Sequence, residues 1–250
     1  MKKDLKTVVL AAGKGTRMKS ETPKVLHEIF NKPLVSRVLD AVIEAGSKEN
    51  ITVVGHKAEE VEKYLSQNYE SSICVLQKEQ LGTGHALKTA SEKLENFKGN
   101  VLVVCGDTPL ITGKTLKDFV EFHNQSNADI TVMSAFFDNP KGYGRIVRDK
   151  NNNVLKIVEE KDADDEVKKI KEINAGIYCF NWESVGYGIN EIKNNNAQNE
   201  YYLTDLIKWG VCRSKKVSPY VLESSDEIFG INSKKHLAIA TNIMKESLTN

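Results

Sequence analysis

The densest chemistry in this 250-residue chain lies near its start, in the string Leu10-Ala-Ala-Gly-Lys-Gly-Thr-Arg-Met18 and its continuation Thr22-Pro-Lys24. Gly13 and Gly15 carry no Cβ, so their backbone N–H groups can approach a phosphate closely. Arg17 and Lys24 add two cations, a combination suited to a triphosphate that must release pyrophosphate. Two commoner phosphate loops are excluded. A dinucleotide fingerprint needs a third glycine where Met18 stands, and a Walker A loop needs four spacer residues before Gly-Lys-Ser/Thr.

Further along, Cys105-Gly-Asp-Thr-Pro-Leu110 closes an apolar run with a hard oxygen donor, Asp107. Such a carboxylate suits Mg²⁺, which usually takes one or two carboxylates together with substrate phosphates. Read alone, Asp107 serves equally well as a helix cap or turn residue. Asn232, in Phe229-Gly-Ile-Asn232, reads by itself as the N-cap of the last helix. Gln77 and Gln80 begin the segment Gln77-Lys-Glu-Gln-Leu-Gly-Thr-Gly-His-Ala86. A side-chain amide offers both donor and acceptor, as the imide edge of uracil requires. Gly82-Thr-Gly84 alone is simply a helix start, and His85 reads as packing or capping.

These groups need a scaffold that delivers them to one edge. Short apolar runs at residues 7–11, 51–54, 73–76, 101–105 and 130–136 read as strands. Amphipathic stretches at 35–45, 58–65, 84–94 and 115–123 read as the helices between them. This alternation predicts an α/β domain: a doubly wound, mostly parallel, Rossmann-like sheet covered on both faces. Ligands then bind beyond the carboxyl ends of the strands, where the glycine string sits. From about residue 138 the pattern changes. Residues 145–148 and 154–158 flank an Asp-Lys-Asn-Asn-Asn turn and read as a hairpin. Residues 173–180 read as a strand, 203–212 as a helix and 234–247 as a final amphipathic helix. No repeat or biased linker divides the chain. The expectation is one domain over 1–250, with a nucleotide-binding half (about 1–137), a β-rich second half (about 138–232) and a C-terminal helix (233–250).

Composition bounds the function. Apolar residues make up 40% and charged residues 28%, with net charge +1, the profile of an ordinary soluble protein. That balance argues against broad binding to nucleic acid or an anionic membrane. The apolar stretch at 8–12 is too short for a signal-peptide core, and no run approaches the roughly 20 residues that cross a bilayer. A cytoplasmic location is expected. The four cysteines (Cys74, Cys105, Cys179, Cys212) are widely spaced and read as free, structural thiols in a reducing compartment.

With Val25-Leu-His27 appended, the glycine string resembles the signature of the sugar nucleotidyltransferases. The likeness is specific to the pyrophosphorylase half of the bacterial bifunctional N-acetylglucosamine-1-phosphate uridylyltransferase/glucosamine-1-phosphate acetyltransferases, and it continues through nearly the whole chain. It implies a GT-A-like fold with a β-rich sugar-binding extension. It further implies an Mg²⁺-dependent reaction of UTP with a hexosamine 1-phosphate, giving UDP-N-acetylglucosamine for cell-wall glycan synthesis and pyrophosphate. By the same resemblance, Arg17 and Lys24 are catalytic, and Asp107 and Asn232 hold the metal. Leu10, Ala12, Gly13, Gly15, Gln77, Gln80, Gly82 and Thr83 bind the nucleotide. Segments 142–146, 157–162, 172–176 and 196–205 look like the family's sugar-binding segments, placing Gly144, Glu159, Asn174, Tyr202 and Thr204 on the hexosamine.

Three positions depart from the family pattern: Cys105 for a tyrosine, Ala175 for a threonine and Asn199 for a glycine. They bear on which sugar is used more than on the chemistry. The family's left-handed β-helix, built on hexapeptide repeats, has no counterpart in this sequence. Acetyl transfer and the trimer it builds are therefore not expected, and a monomer or weak dimer is. Rival readings are a uridylyltransferase for another hexose 1-phosphate, a cytidylyltransferase of the methylerythritol phosphate type, and a catalytically silent regulatory module. The cytidylyltransferases share the glycine loop but lack the 77–86 and 201–204 segments.

Overall fold

The structure is a computed structural model that describes residues 3–247. Residues 1–2 of the expected nucleotide-binding half and 248–250 of the expected last helix lie outside the described residues. In chain order, strand β1 (Leu5–Leu10) leads through the glycine string to a small hairpin, β2 (Glu28–Ile29) and β3 (Lys32–Pro33). Helix α1 (Leu34–Glu44), β4 (Glu49–Val54), α2 (Ala58–Asn68), β5 (Ser72–Leu76), α3 (Thr83–Ser91) and β6 (Asn100–Cys105) follow. Then come α4 (Gly113–Gln125), β7 (Ile130–Phe136), β8 (Arg145–Arg148), β9 (Val154–Val158) and the one-turn α5 (Asp165–Lys168). The chain continues through β10 (Glu172–Asn181), α6 (Trp182–Val185), α7 (Asp205–Cys212), β11 (Val217–Val221) and α8 (Lys234–Ser247).

The main sheet runs β11-β7-β10-β6-β1-β4-β5, with β8 joined to β10 and β9 joined to β8. Strands β6, β1, β4 and β5 are mutually parallel. Alternating side chains feed two cores. Val9, Leu102 and Val104 pack with α1 and α4 on one face, while Val8, Val101 and Val103 pack with α3 and α7 on the other. This two-sided burial is why the strands read as continuous apolar runs rather than alternating ones.

The second half is not an appendage. Strand β10 inserts between β6 and β7 and is antiparallel to both, so both halves of the sequence share one sheet. Strand β11, whose Pro219 argues against a strand in the sequence, is tolerated because it forms an edge, parallel to β7. A third, smaller core gathers Met18, Ile29, Leu34, Leu110, Ile231 and Ala240. It clamps α8 and the loop before it against the glycine string. Among the described residues, no helix is long and apolar enough to cross a membrane.

Candidate active site

Because β1, β4, β5 and β6 run parallel in register, with Leu10 beside Val53 and Cys105, and Val54 beside Leu76, the loops that follow them emerge on one edge. There they line a cavity of about 470 Å³. Of the residues that the resemblance assigns to nucleotide, metal and catalysis, Leu10, Ala12, Gly13, Lys24, Gln77, Gln80, Gly82, Thr83 and Asp107 line it, and Gly15 does not. The N–H groups of Gly13, Lys14 and Gly15 donate to no backbone carbonyl among the described residues, which leaves them available to an anion.

Gly15 has a more particular role than an open backbone. It sits at φ +59°, and a Cβ there would lie 2.7 Å from Lys24 Cβ. Lys24 is thereby held against the loop, its ammonium paired with the Asp107 carboxylate and 3.3 Å from Asn232 Oδ1. The Ile231 N–H donates to the Asp107 carbonyl at 2.8 Å, tying these distant segments together. The last helix is capped by Ser233, whose Oγ accepts from the His236 N–H, and α4 is capped by Thr112. Neither Asp107 nor Asn232 performs the capping role each also suggested. Arg17 lies outside the cavity lining. It is exposed on a single 3₁₀ turn anchored by buried Met18.

Gln77 is buried, and its Nε2 donates to Gly82 O at 3.1 Å and lies 2.9 Å from His85 Nδ1. His85 therefore orients Gln77, a role beyond simple packing. Gln80 donates to Gln77 O at 3.0 Å. Gly82 and Gly84 do more than start a helix: Tyr201 O accepts the Gly84 N–H at 2.7 Å, and Leu203 N–H donates to Thr83 Oγ1 at 3.1 Å. A Cβ on Gly82, at φ +108°, would meet Tyr201 O at 2.6 Å. Gly82→Ala is expected to destabilise the fold by about 1–3 kcal/mol. The thermal unfolding midpoint of the variant against that of the wild type checks this.

The five sugar candidates cluster, with different commitments. Glu159 accepts from Thr204 Oγ1 at 3.1 Å, and a Cβ on Gly144 would lie 3.4 Å from the Glu159 carboxylate. Burial, with Asp162, Asp205 and Glu200 nearby, raises the Glu159 pKa above the usual carboxylate value, and only the Thr204 hydrogen bond opposes it. Asn174 donates through its backbone to Gly144 O at 2.9 Å. Its side chain spans a bulge in β10, donating to Tyr178 Oη at 2.7 Å and accepting from Gly176 N at 3.1 Å. One amide N–H and one lone pair remain. Tyr202 is buried and donates to Asp162 Oδ2 at 3.1 Å. Thr204 is buried as well, so both stand behind the carboxylates.

Fully buried Arg145 braces this half. It pairs with Glu160 at 2.8 Å and donates to the carbonyls of Tyr143 and, at 3.0 Å, Ile170. It thus joins the three segments that carry Gly144, Glu159 and Asn174.

The three departures separate cleanly. Asn199 adopts φ +54°, a left-handed conformation that asparagine accepts almost as glycine does. Ala175 packs in the core. Only Cys105 lines the cavity, with its Sγ 3.7 Å from Gly176 O and its thiol pushed up to about 12 by burial. All four cysteines are free thiols.

Lys14, Glu200 and Gly55 were missed by sequence reasoning. Lys14 and Glu200 line the cavity, and a Cβ on Gly55 would meet Ala12 O at 2.8 Å and Gln80 Nε2 at 2.9 Å. Lys14 lay in plain sight within the glycine string, and Gly55 closes an apolar strand at the same edge. Glu200 had no local signal.

The model of the nucleotidyl transferase family matches residues 6–225. The chain belongs to this family. Among its relatives, the bifunctional protein GlmU of Caldanaerobacter subterraneus subsp. tengcongensis is 48% identical over 98% of the chain, and that of Clostridioides difficile 44% over 98%. The chain spans 52% of the length of each. A UDP-glucose pyrophosphorylase solved with UDP-glucose superposes with a TM-score of 0.78 at 21% identity, covering 99% of this chain and 100% of that one. A putative glucose-1-phosphate thymidylyltransferase from Bacillus anthracis superposes at 0.77, with 20% identity and 96% and 94% coverage. These two establish the nucleotidyl transferase fold: mixed α/β with a central, mostly parallel sheet.

Proposed function

We propose that this nucleotidyl transferase joins UTP to N-acetylglucosamine 1-phosphate, forming UDP-N-acetylglucosamine and pyrophosphate. The observation that carries the reading is the convergence of Lys24, Asp107 and Asn232 beside a cavity that Gly13, Gln77 and Gln80 also line. Identity of 44–48% to GlmU proteins over nearly the whole chain supports it, as does a neighbouring fold that holds UDP-glucose.

Asp107 and Asn232 direct a carboxylate and an amide oxygen at one ammonium, so the position suits a cation with hard oxygen ligands. Mg²⁺ fits that donor set. Such an ion usually takes one or two protein carboxylates and completes its shell with phosphates and water. When bound, the metal supplies charge neutralisation to the phosphates. The protein does the rest by positioning. The glycine string cradles the phosphates, Gln77 and Gln80 face the base, and Glu159 accepts from sugar hydroxyls. A sugar phosphate oxygen attacks the α-phosphorus in line. The bond from that phosphorus to the β-phosphate oxygen breaks, and Arg17 and Lys24 receive the departing pyrophosphate. The attacking oxygen is already anionic, so no covalent enzyme intermediate is required.

Ionised Glu159 accepts from hydroxyls at both oxygens, and protonation turns one of those acceptors into a donor. Its raised pKa places the loss of sugar binding at a higher pH than an ordinary carboxylate would: the KM for sugar phosphate should rise as pH falls through that pKa. Stability has the opposite sign. A carboxyl with a raised folded-state pKa favours the folded state below its unfolded value, and this contribution is lost as pH rises through the folded one. Glu159→Gln should flatten the KM profile at a uniformly weaker level.

The deciding assay is pyrophosphate release with Mg²⁺, crossing UTP, CTP, dTTP and ATP with N-acetylglucosamine, glucosamine, N-acetylgalactosamine and glucose 1-phosphates and with methylerythritol phosphate. Turnover confined to UTP and N-acetylglucosamine 1-phosphate is expected. The second reading, another hexose, draws on Cys105 in the cavity lining, and UTP turnover with a different sugar would select it. Silence from folded protein that still binds UTP would leave the regulatory module.

A further inference from the structure

Lys24 stands on the two oxygen donors that the proposed reaction assigns to the metal. Its ammonium pairs with Asp107 and lies 3.3 Å from Asn232 Oδ1, and the side chains of the ion pair are only 13% and 15% exposed. The placement is built in. Gly15 leaves room for the Lys24 methylenes where a Cβ would lie 2.7 Å from Lys24 Cβ. The Ile231 N–H to Asp107 carbonyl bond of 2.8 Å keeps the two donor segments together.

We propose that Lys24 and the divalent cation exchange places at Asp107 and Asn232, the metal entering only as substrate phosphates draw the ammonium away. The proposal rests on the function proposed above. A dication and an ammonium drawn to one carboxylate repel each other, and in a partly buried site that repulsion is only weakly screened, so each weakens the other's hold on Asp107. Two protein oxygens alone also make a poor magnesium site. A nucleoside triphosphate meets both needs. Its oxygens complete the metal's shell, and its negative charge gives Lys24 a new partner. Metal and nucleotide therefore bind with reciprocal positive coupling. Metal affinity without nucleotide is low, and the return of Lys24 to Asp107 favours departure of the metal with pyrophosphate.

The test measures Mn²⁺ binding to the full chain without nucleotide, by loss of the free-ion paramagnetic resonance signal. Lys24→Met should bind Mn²⁺ at least ~10-fold more tightly than the wild type, and adding Asp107→Asn should abolish the gain. Lys24→Arg should stay near the wild type, because a guanidinium still pairs with Asp107. Mg²⁺ should raise the unfolding midpoint of Lys24→Met and not that of the wild type. Lys24→Gln replaces Lys24→Met if methionine disturbs folding. Equal Mn²⁺ affinity in wild type and variant, or a gain that survives Asp107→Asn, overturns the exchange. Pyrophosphate release by the wild type, assayed in parallel, separates the two ideas. Turnover without a metal difference overturns the exchange alone. A metal difference without turnover overturns the proposed reaction and supports the exchange.

Discussion

Asparagine at Asp107 is expected to lower kcat by about 10²–10³-fold, the usual effect of removing a charge-stabilising group from a phosphoryl-transfer site. Asp107 leaves the end of β6 directly into the cavity and is the carboxylate that Lys24 pairs with there. The substitution keeps the shape of the side chain and removes its charge. Excess Mg²⁺ should not restore the rate, because a neutral amide holds the cation more weakly. Stability should fall less than for a fully buried pair, about 1–2 kcal/mol, since Lys24 keeps Asn232 and some access to water. The check is kcat against Mg²⁺ concentration for wild type and variant, with unfolding midpoints alongside. A variant within tenfold of the wild-type kcat would remove Asp107 from the chemistry.

Arg17→Ala should separate activity from folding more sharply. Arg17 is exposed, outside the cavity lining, and forms no ion pair with a described residue. Its loss should therefore change stability by no more than about 0.5 kcal/mol. Buried Met18 anchors the turn beside it, and Gly15 and Lys19 on either side adopt left-handed conformations, so the turn keeps its place without Arg17. If its guanidinium closes on the departing pyrophosphate, kcat/KM should fall about 10²-fold or more. Arg17→Lys should lie between, keeping the charge and losing the two-pronged geometry. Steady-state kinetics in pyrophosphate release, with UTP and sugar phosphate varied in turn, give the measurement. Normal turnover by a folded Arg17→Ala protein would sink this role.

Sequence patterning captured what neighbours in the chain decide. The parallel strands at 5–10, 49–54 and 100–105 announced themselves because both faces are buried, and the edge strand at 72–76 because its run is apolar even where it is exposed. The glycine string announced itself because a phosphate loop must leave its backbone open. Family likeness then singled out residues such as Glu159 and Asn232, for which local reasoning offered only a solvated hairpin or a cap. The same likeness could not say what Asn199 and Ala175 do where the family pattern has a glycine and a threonine. Those answers lie in a backbone angle and in a packing direction.

The amino-acid sequence by itself determined the class of sheet and the edge at which the glycine string and Lys24 line the cavity. Each depends on periodicity or spacing within about a dozen residues, where covalent connection limits the geometry. Only the tertiary structure decided that β10 threads back between β6 and β7, that Tyr201 seats against Gly82 and Gly84, and that Lys24 meets an asparagine 208 positions away. The physical reason is chain entropy. Closing loops of that length is repaid by burying whole faces of the sheet, and which segments meet is settled by the sum of that packing rather than by any local pattern.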